Sequence, residues 1–337
     1  MVSAIETETK KKSLTPGKLR PRAGDTLFPT TTLAESGLSA QGRTKVKRLH
    51  VLIYGPPGTA KTVISHQLPN TRTLDFDDGM QSVEWAIKAG VLKRKLEEIV
   101  YRTILPPKNA RSGASVLDIA TDTLDEWVAD EDIPPEEWDR PYPQFWDTLI
   151  IDSASPLTDA VILKGLKEND RLKLSKSWSQ YREGGVIPMK QQDWGSASSL
   201  FSQFINYARS IGKNVVLICH EYHNTDEEGN LLSVDPLLIG QLRQKLPGSF
   251  DEVWYTRVEG TRQEPKYVFQ TTPDPKHRLR SRLGCLDPIE DTDFSKIKRK
   301  VARFYGVDED LLWVAAHGTK GIEEAVKEEE EDNLSRI

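Results

Sequence analysis

Cysteine is scarce. Cys219 and Cys285 are the only two in 337 residues, too few for a disulfide framework or a metal site built on thiolates alone. Apolar residues never run to the roughly 18 in succession that a membrane span needs, and mean hydropathy is −0.53. Residues 1–12 are polar, without the apolar stretch of a secretory signal. A 37% hydrophobic content over this length still supplies the core of one large α/β domain or two small ones. The expectation is a soluble cytoplasmic chain with no membrane partner.

The net charge of −5 is unevenly spread. Residues 1–48 carry ten Lys/Arg against four acids, whereas residues 321–337 carry seven acids against Lys327 and Arg336. Blocks of this kind are solvated ends in most chains. The functional alternative is a basic arm for nucleic acid and an acidic tail that competes with it. We therefore divide the chain into a basic tail or tether at 1–47, a core at 48–305 and a C-terminal segment at 306–337.

Within the core, 49–54 is a short apolar run suited to a buried strand, with a helix expected over 60–67. Further strands are expected at 72–76, 99–104, 148–151, 214–219, 252–258 and 267–271. Helices are expected at 80–89, 114–128, 196–210 and 296–305. An acidic, Pro- and Trp-rich stretch at 129–146 reads as an insertion packing its tryptophans locally. Residues 171–195 read as a long surface loop, and a charged turn at 226–230 leads into a loop through 245. Strands alternating with helices predict an α/β fold with a mostly parallel central sheet, its ligand at the strand C-termini.

The strongest chemical signal is Gly55-Pro56-Pro57-Gly58-Thr59-Ala60-Lys61-Thr62. It sits between an expected strand and an expected helix, the context of a phosphate-binding loop. Gly55 and Gly58 let successive N–H groups turn toward phosphate oxygens, and the helix N-terminus adds partial positive charge. Lys61 would bridge the β- and γ-phosphates of ATP, and the Thr62 hydroxyl would join the Mg²⁺ shell. Ala60 stands where the usual pattern has a second glycine; a methyl is tolerable there if the residue keeps the negative φ of a helix start.

The strand at 148–151 ends in Asp152-Ser153. Asp152 would hold Mg²⁺ through water; its other reading is a cap on the next turn. The residue after this Asp is Ser153 and not a Glu that could polarise water, so a catalytic acid must come from elsewhere, or the protein hydrolyses poorly. Asp77, with Asp78 as understudy, is the candidate: if the strand at 72–76 neighbours the phosphate-loop strand, Asp77 can face the γ-phosphate and orient water. An Asp-Asp-Gly turn without function is the plainer reading. His220 and Glu221 end an apolar strand, where polar groups can sense a γ-phosphate. A metal site from Cys219, His220 and His223 lacks a fourth ligand. In the basic run at 275–284, Arg280 and Arg282 alternate, so both face one way on an extended segment. Such a pair suits a γ-phosphate in a neighbouring subunit, or a nucleic-acid backbone.

Together GPPGTAKT (55–62), LDFDDG (74–79), TLIIDS (148–153), VVLICHE (215–221), the run at 236–255 and RLRSRLG (278–284) resemble the RecA-like P-loop ATPases. The likeness is greatest to the phage Sak-type single-strand-annealing group of the AAA-like nucleotide-binding proteins. That resemblance implies an ATP- and Mg²⁺-dependent ATPase, stimulated by single-stranded DNA, working in the cytoplasm of a phage's host. It implies a head-to-tail homo-oligomer, ring or filament, with a single-strand-binding protein as a further partner. By the same resemblance Asp77 is catalytic, His220 links the γ-phosphate to a DNA loop, and Arg280 and Arg282 are fingers acting across an interface. Segments 171–195 and 223–247 would contact DNA through Lys173, Lys176, Arg182, Lys190, Arg243 and Lys245, with Trp178, Tyr181 and Trp194 stacking on bases. Phe28 would plug a neighbouring subunit. The alternatives are an AAA+ remodelling or helicase-loading ATPase, or a nucleotide-gated assembly protein with little turnover.

Overall fold

A computed structural model describes residues 48–105, 116–171, 189–261 and 263–315. The tether with Phe28, the cations Lys173, Lys176 and Arg182, the aromatics Trp178 and Tyr181, and the acidic tail lie outside the described residues.

Six strands run parallel: β1 (His50–Gly55), β2 (Thr71–Asp75), β3 (Val100–Thr103), β4 (Thr148–Asp152), β5 (Asn214–Thr225) and β7 (Glu252–Gly260). Their spatial order is β3-β2-β4-β5-β1-β7, and β8 (Pro265–Gln270) and β9 (Ile289–Asp291) extend the sheet antiparallel from β7. Strands β1 and β4 and the first half of β5 are largely apolar and buried because both faces are covered. Alternate side chains sort to opposite sides. Leu52, Tyr54, Leu74, Ile151 and Leu217 join one core with α3 (Val116–Asp130), α4 (Ala154–Glu168) and α5 (Gln191–Ser210). Val51, Ile53, Ile150, Val216 and Ile218 join the other with α1 (Lys61–Ser65) and α7 (Phe294–Tyr305). A third, smaller cluster of Met80, Val83 and Ala86 seats α2 (Gln81–Lys88).

The expected α/β sheet is present, with differences in its helices and strands. Helix α4 falls where the sequence analysis places no element; its Pro156 sits in the first turn, where a missing N–H costs nothing. Helix α5 begins at Gln191, five residues earlier than expected, and takes in Trp194. Strand β5 does not stop at Cys219. It continues to Thr225 and folds back through the turn at 226–230 into β6 (Leu231–Pro236), an antiparallel hairpin where a loop was expected. The short helix α6 (Leu242–Lys245) follows.

The strand N-termini form an edge closed by polar and aromatic contacts. Arg72 of β2 is fully buried, its guanidinium 5.3–5.6 Å from the ring centres of Trp127, Tyr142 and Trp146. It donates to the carbonyls of Trp127, Pro143 and Gln144 and pairs with Asp130 at 3.4 Å. Lys213 pairs with Glu131 at 2.7 Å beside Trp146. Thus the stretch at 129–146 is pinned by one arginine from the sheet. The packed chain also runs past Tyr305: Leu312 and Trp313 are buried, the Trp313 carbonyl accepts from Asn214 Nδ2 at 2.6 Å, and Ala315 N–H donates to Asp147 at 2.7 Å.

Candidate functional site

The C-terminal edge of the sheet carries the phosphate-loop residues. Gly55 ends β1 at φ 155°, and a Cβ built there would lie 2.4 Å from the Thr256 carbonyl oxygen of β7. Only glycine lets β7 buttress the loop so closely. The Thr59 hydroxyl completes this contact, 2.7 Å from Thr256 Oγ1 and 2.9 Å from the Pro56 carbonyl. Gly58 takes φ 78°.

Ala60 corrects the sequence reading. It sits at φ 58°, ψ 23°, in the left-handed region, rather than at the negative φ expected of a helix start. The loop demands this conformation because Lys61 must turn inward at once, and the methyl raises its cost by about 1–2 kcal/mol. Helix α1 then runs only five residues.

Buried Lys61 donates to the carbonyls of Gly55 (2.9 Å) and Pro56 (2.7 Å). Burial lowers its pKa, opposed by Asp152, Cys219, Glu221 and Asp77. The Thr62 hydroxyl donates to Asp152 Oδ2 at 2.5 Å. Burial lifts the Asp152 carboxyl to about 6, with the Thr62 hydrogen bond pulling it down and the charges of Asp77 and Asp75 pushing it up. Among the described residues no three His, Cys, Asp or Glu side chains assemble as a metal cage. This donor set suits Mg²⁺ all the same: a hard cation bound chiefly by phosphate oxygens and water needs one hydroxyl and one carboxylate from protein. The Cys219, His220, His223 alternative dissolves, since Cys219 lies in the core, His220 faces Asp77 and His223 faces Glu221.

Asp77 reaches the site by another route than expected. Strand β2 is not the neighbour of β1; β4 and β5 stand between them. The turn after β2 nevertheless carries the Asp77 carboxylate to 3.6 Å from His220 Nε2, and His220 is in register with Gly55. Asp75 sets that turn, its Oδ1 accepting from the N–H groups of Asp77 and Gly79 while its Oδ2 takes the Thr103 hydroxyl. Burial raises the Asp77 carboxyl, but His220, the Ser153 hydroxyl and Lys61 outweigh it, and the net pKa is lowered. Asp77 is thus an ionised acceptor at neutral pH. Asp78 takes φ 55° and is exposed.

Asp75 and His66 went unseen in sequence. His66 is fully buried, with its Nδ1 2.9 Å from the Thr62 carbonyl and its Nε2 3.0 Å from Thr73 Oγ1, so it ties the loop helix to β2. Glu221 accepts from the Tyr255 hydroxyl at 2.8 Å. His220 opens the hairpin: its carbonyl accepts from Leu237 N–H, just beyond β6, and Tyr222 stacks 3.5 Å from the Arg243 guanidinium. That stacking, with a bond to the Leu238 carbonyl, engages Arg243 within the fold. The hairpin tip at 226–230 is acidic rather than basic, half-buried at Asp226 and exposed from Glu227 to Asn230. Lys190 and Lys245 are exposed, as is Trp194 at 41%. The local signal for Asp75 was legible: an Asp two residues before Asp-Asp-Gly can accept from the turn's own backbone.

Arg280 and Arg282 are not brought to the phosphate loop of their own chain. Arg280 exchanges backbone hydrogen bonds with Val253 and donates to the Gly248 carbonyl at 2.9 Å. Arg282 pairs with Asp251 at 2.7 Å, beside His50. His50 opens β1, five residues before Gly55, or about 17 Å of strand.

A family model described as an AAA domain matches residues 47–283. No curated protein matches the chain.

Proposed function

The chain belongs to the AAA domain family, and on that premise we propose that it hydrolyses ATP with Mg²⁺ and couples turnover to single-stranded DNA. The observation that carries the catalytic part is the convergence of Lys61, the Thr62–Asp152 pair and the ionised Asp77 beside His220 on one sheet edge. The backbone of the loop and Lys61 bind the phosphates; Thr62 and Asp152 would hold Mg²⁺, which would supply charge neutralisation at the phosphate oxygens. Asp77 accepts a proton from water as its oxygen bonds to the γ-phosphorus and the bond to the β-phosphate oxygen breaks. Lys61 stabilises charge on the departing oxygen.

What supports His220 as the reporter of the γ-phosphate is its contact with Asp77 from the strand that continues as the β5–β6 hairpin. The DNA reading, and strand annealing as its outcome, draws on the resemblance and on the Lys173, Lys176, Arg182 and Trp178 segment. The placement of Arg282 far from its own loop favours action on another copy in a head-to-tail assembly.

The test is the ATP turnover of wild type and Arg282→Ala, each with and without single-stranded DNA. We expect stimulation by DNA that fails in Arg282→Ala and returns when it is mixed with Lys61→Ala subunits. Turnover indifferent to DNA would leave a remodelling ATPase or a nucleotide-gated assembly protein.

A further inference from the structure

Ser153 stands directly after Asp152, at the position where a catalytic glutamate is absent. The residue is completely buried, and its hydroxyl makes no hydrogen bond of acceptable geometry with any protein group. A buried hydroxyl without a partner costs free energy, so its retention at the centre of a site demands an explanation. Its surroundings supply one. Strand β4 pairs with β2, Asp75 lying in register with Asp152 and Phe76 N–H donating to the Asp152 carbonyl at 2.6 Å, so Ser153 and the Asp77 turn leave the sheet side by side, and the hydroxyl favours the charged form of the Asp77 carboxylate. On its other sides the Asp77 turn is fixed by Asp75 through two N–H groups and approached by His220 at 3.6 Å. The neighbouring groups are otherwise spoken for: Asp152 takes the Thr62 hydroxyl, and Glu221 takes Tyr255 and His223. Ser153 therefore has an unspent donor, with the Asp77 turn beside it.

We propose that Ser153 is a positioning residue for ATP hydrolysis: with nucleotide bound, its hydroxyl donates to Asp77 and, with His220, aims the carboxylate at the attacking water. Asp is one methylene shorter than the Glu that commonly does this work, so an Asp base needs a fixed rotamer to reach its water. A hydroxyl and an imidazole gripping the carboxylate from two directions supply that constraint. This inference rests on Asp77 being the base.

The experiment measures kcat, KM for ATP and melting temperature for Ser153→Ala, Ser153→Thr, Asp77→Asn and the double variant Ser153→Ala/Asp77→Asn. Ser153→Ala should lower kcat about tenfold, the loss of one charge-assisted hydrogen bond, with KM within about twofold. Ser153→Thr should recover most of the rate, because the hydroxyl returns. In the Asp77→Asn background the Ser153→Ala change should have little further effect, since the two side chains act as a unit. Wild-type kcat in Ser153→Ala, a loss that adds in full to that of Asp77→Asn, or a loss that follows a fall in melting temperature would each overturn the proposal. Undiminished kcat in Asp77→Asn is a separate result: it removes Asp77 as the base, whatever Ser153→Ala does.

Discussion

The two ends of the same sheet are built on opposite principles. At the N-terminal edge, Arg72 spends its guanidinium on three carbonyls, one carboxylate and three aromatic faces, while Lys213 is closed by Glu131. At the C-terminal edge, Ala60 and Asp78 hold left-handed backbone, Ser153 keeps a buried hydroxyl without a partner, and Lys61 turns back on its own loop. Side chains tied to partners from several elements make the first edge a clamp. Polar groups left partly unsatisfied make the second a binding site, because the ligand supplies what the protein withholds.

That contrast is most severely tested by changing one residue on each edge. Arg72→Ala should destabilise the protein by about 3–5 kcal/mol, since it leaves Asp130 and several carbonyls buried with fewer partners. Urea denaturation reads this directly, and a loss under about 1 kcal/mol would break the idea of a clamp. Lys61→Ala should do the reverse, lowering ATP turnover about a hundred- to a thousandfold. Its melting temperature should stay within about 3 °C of wild type, because the lysine makes no bond that another element depends on.

The edges should also answer pH with opposite signs. Burial first of all, then the nearby Arg209, holds the His50 imidazole at a pKa of about 4, below its ordinary value. Its contribution is fully present above pH 6.5 and is lost as pH falls through about 4. Asp152 is raised to about 6, so in the nucleotide-free protein its contribution is present below about pH 4 and is lost as pH rises through 6. Each is worth about 3 kcal/mol over its window. Relative to wild type, His50→Gln should gain stability toward pH 4 and Asp152→Asn toward pH 7. Parallel pH curves for all three proteins would remove the distinction.

The smallest expected effect is at Ala60. Replacement by glycine relieves the left-handed methyl but frees the unfolded chain, for a net gain of about 1 kcal/mol at most.

Much of the nucleotide edge was legible because its chemistry is local. Gly55 to Thr62 is contiguous, and Asp152 closes a strand of four apolar or β-branched residues. The conformation of Ala60 was misjudged because a helix start usually has negative φ, and only the inward turn of Lys61 reveals otherwise. The route of Asp77 was misread for a topological reason: adjacency in a parallel sheet is set by crossovers, which leave no local trace in residues 72–79. The β5–β6 hairpin was missed because residues 220–225 lose the apolar pattern once the strand leaves the core, though Asp226 to Asn230 marked the turn. The N-terminal edge was least visible. Arg72 reads as an ordinary strand cation until Trp127, Tyr142 and Trp146 arrive from up to 74 residues away.

The central claim is that the C-terminal edge is an ATP-hydrolysing site with Asp77 as its base. Its most direct test is the paired measurement of ATP affinity and ATP turnover in Asp77→Asn. The account predicts nucleotide affinity within about twofold of wild type and turnover lower by about a hundredfold or more. Turnover equal to wild type, at unchanged affinity, would contradict it.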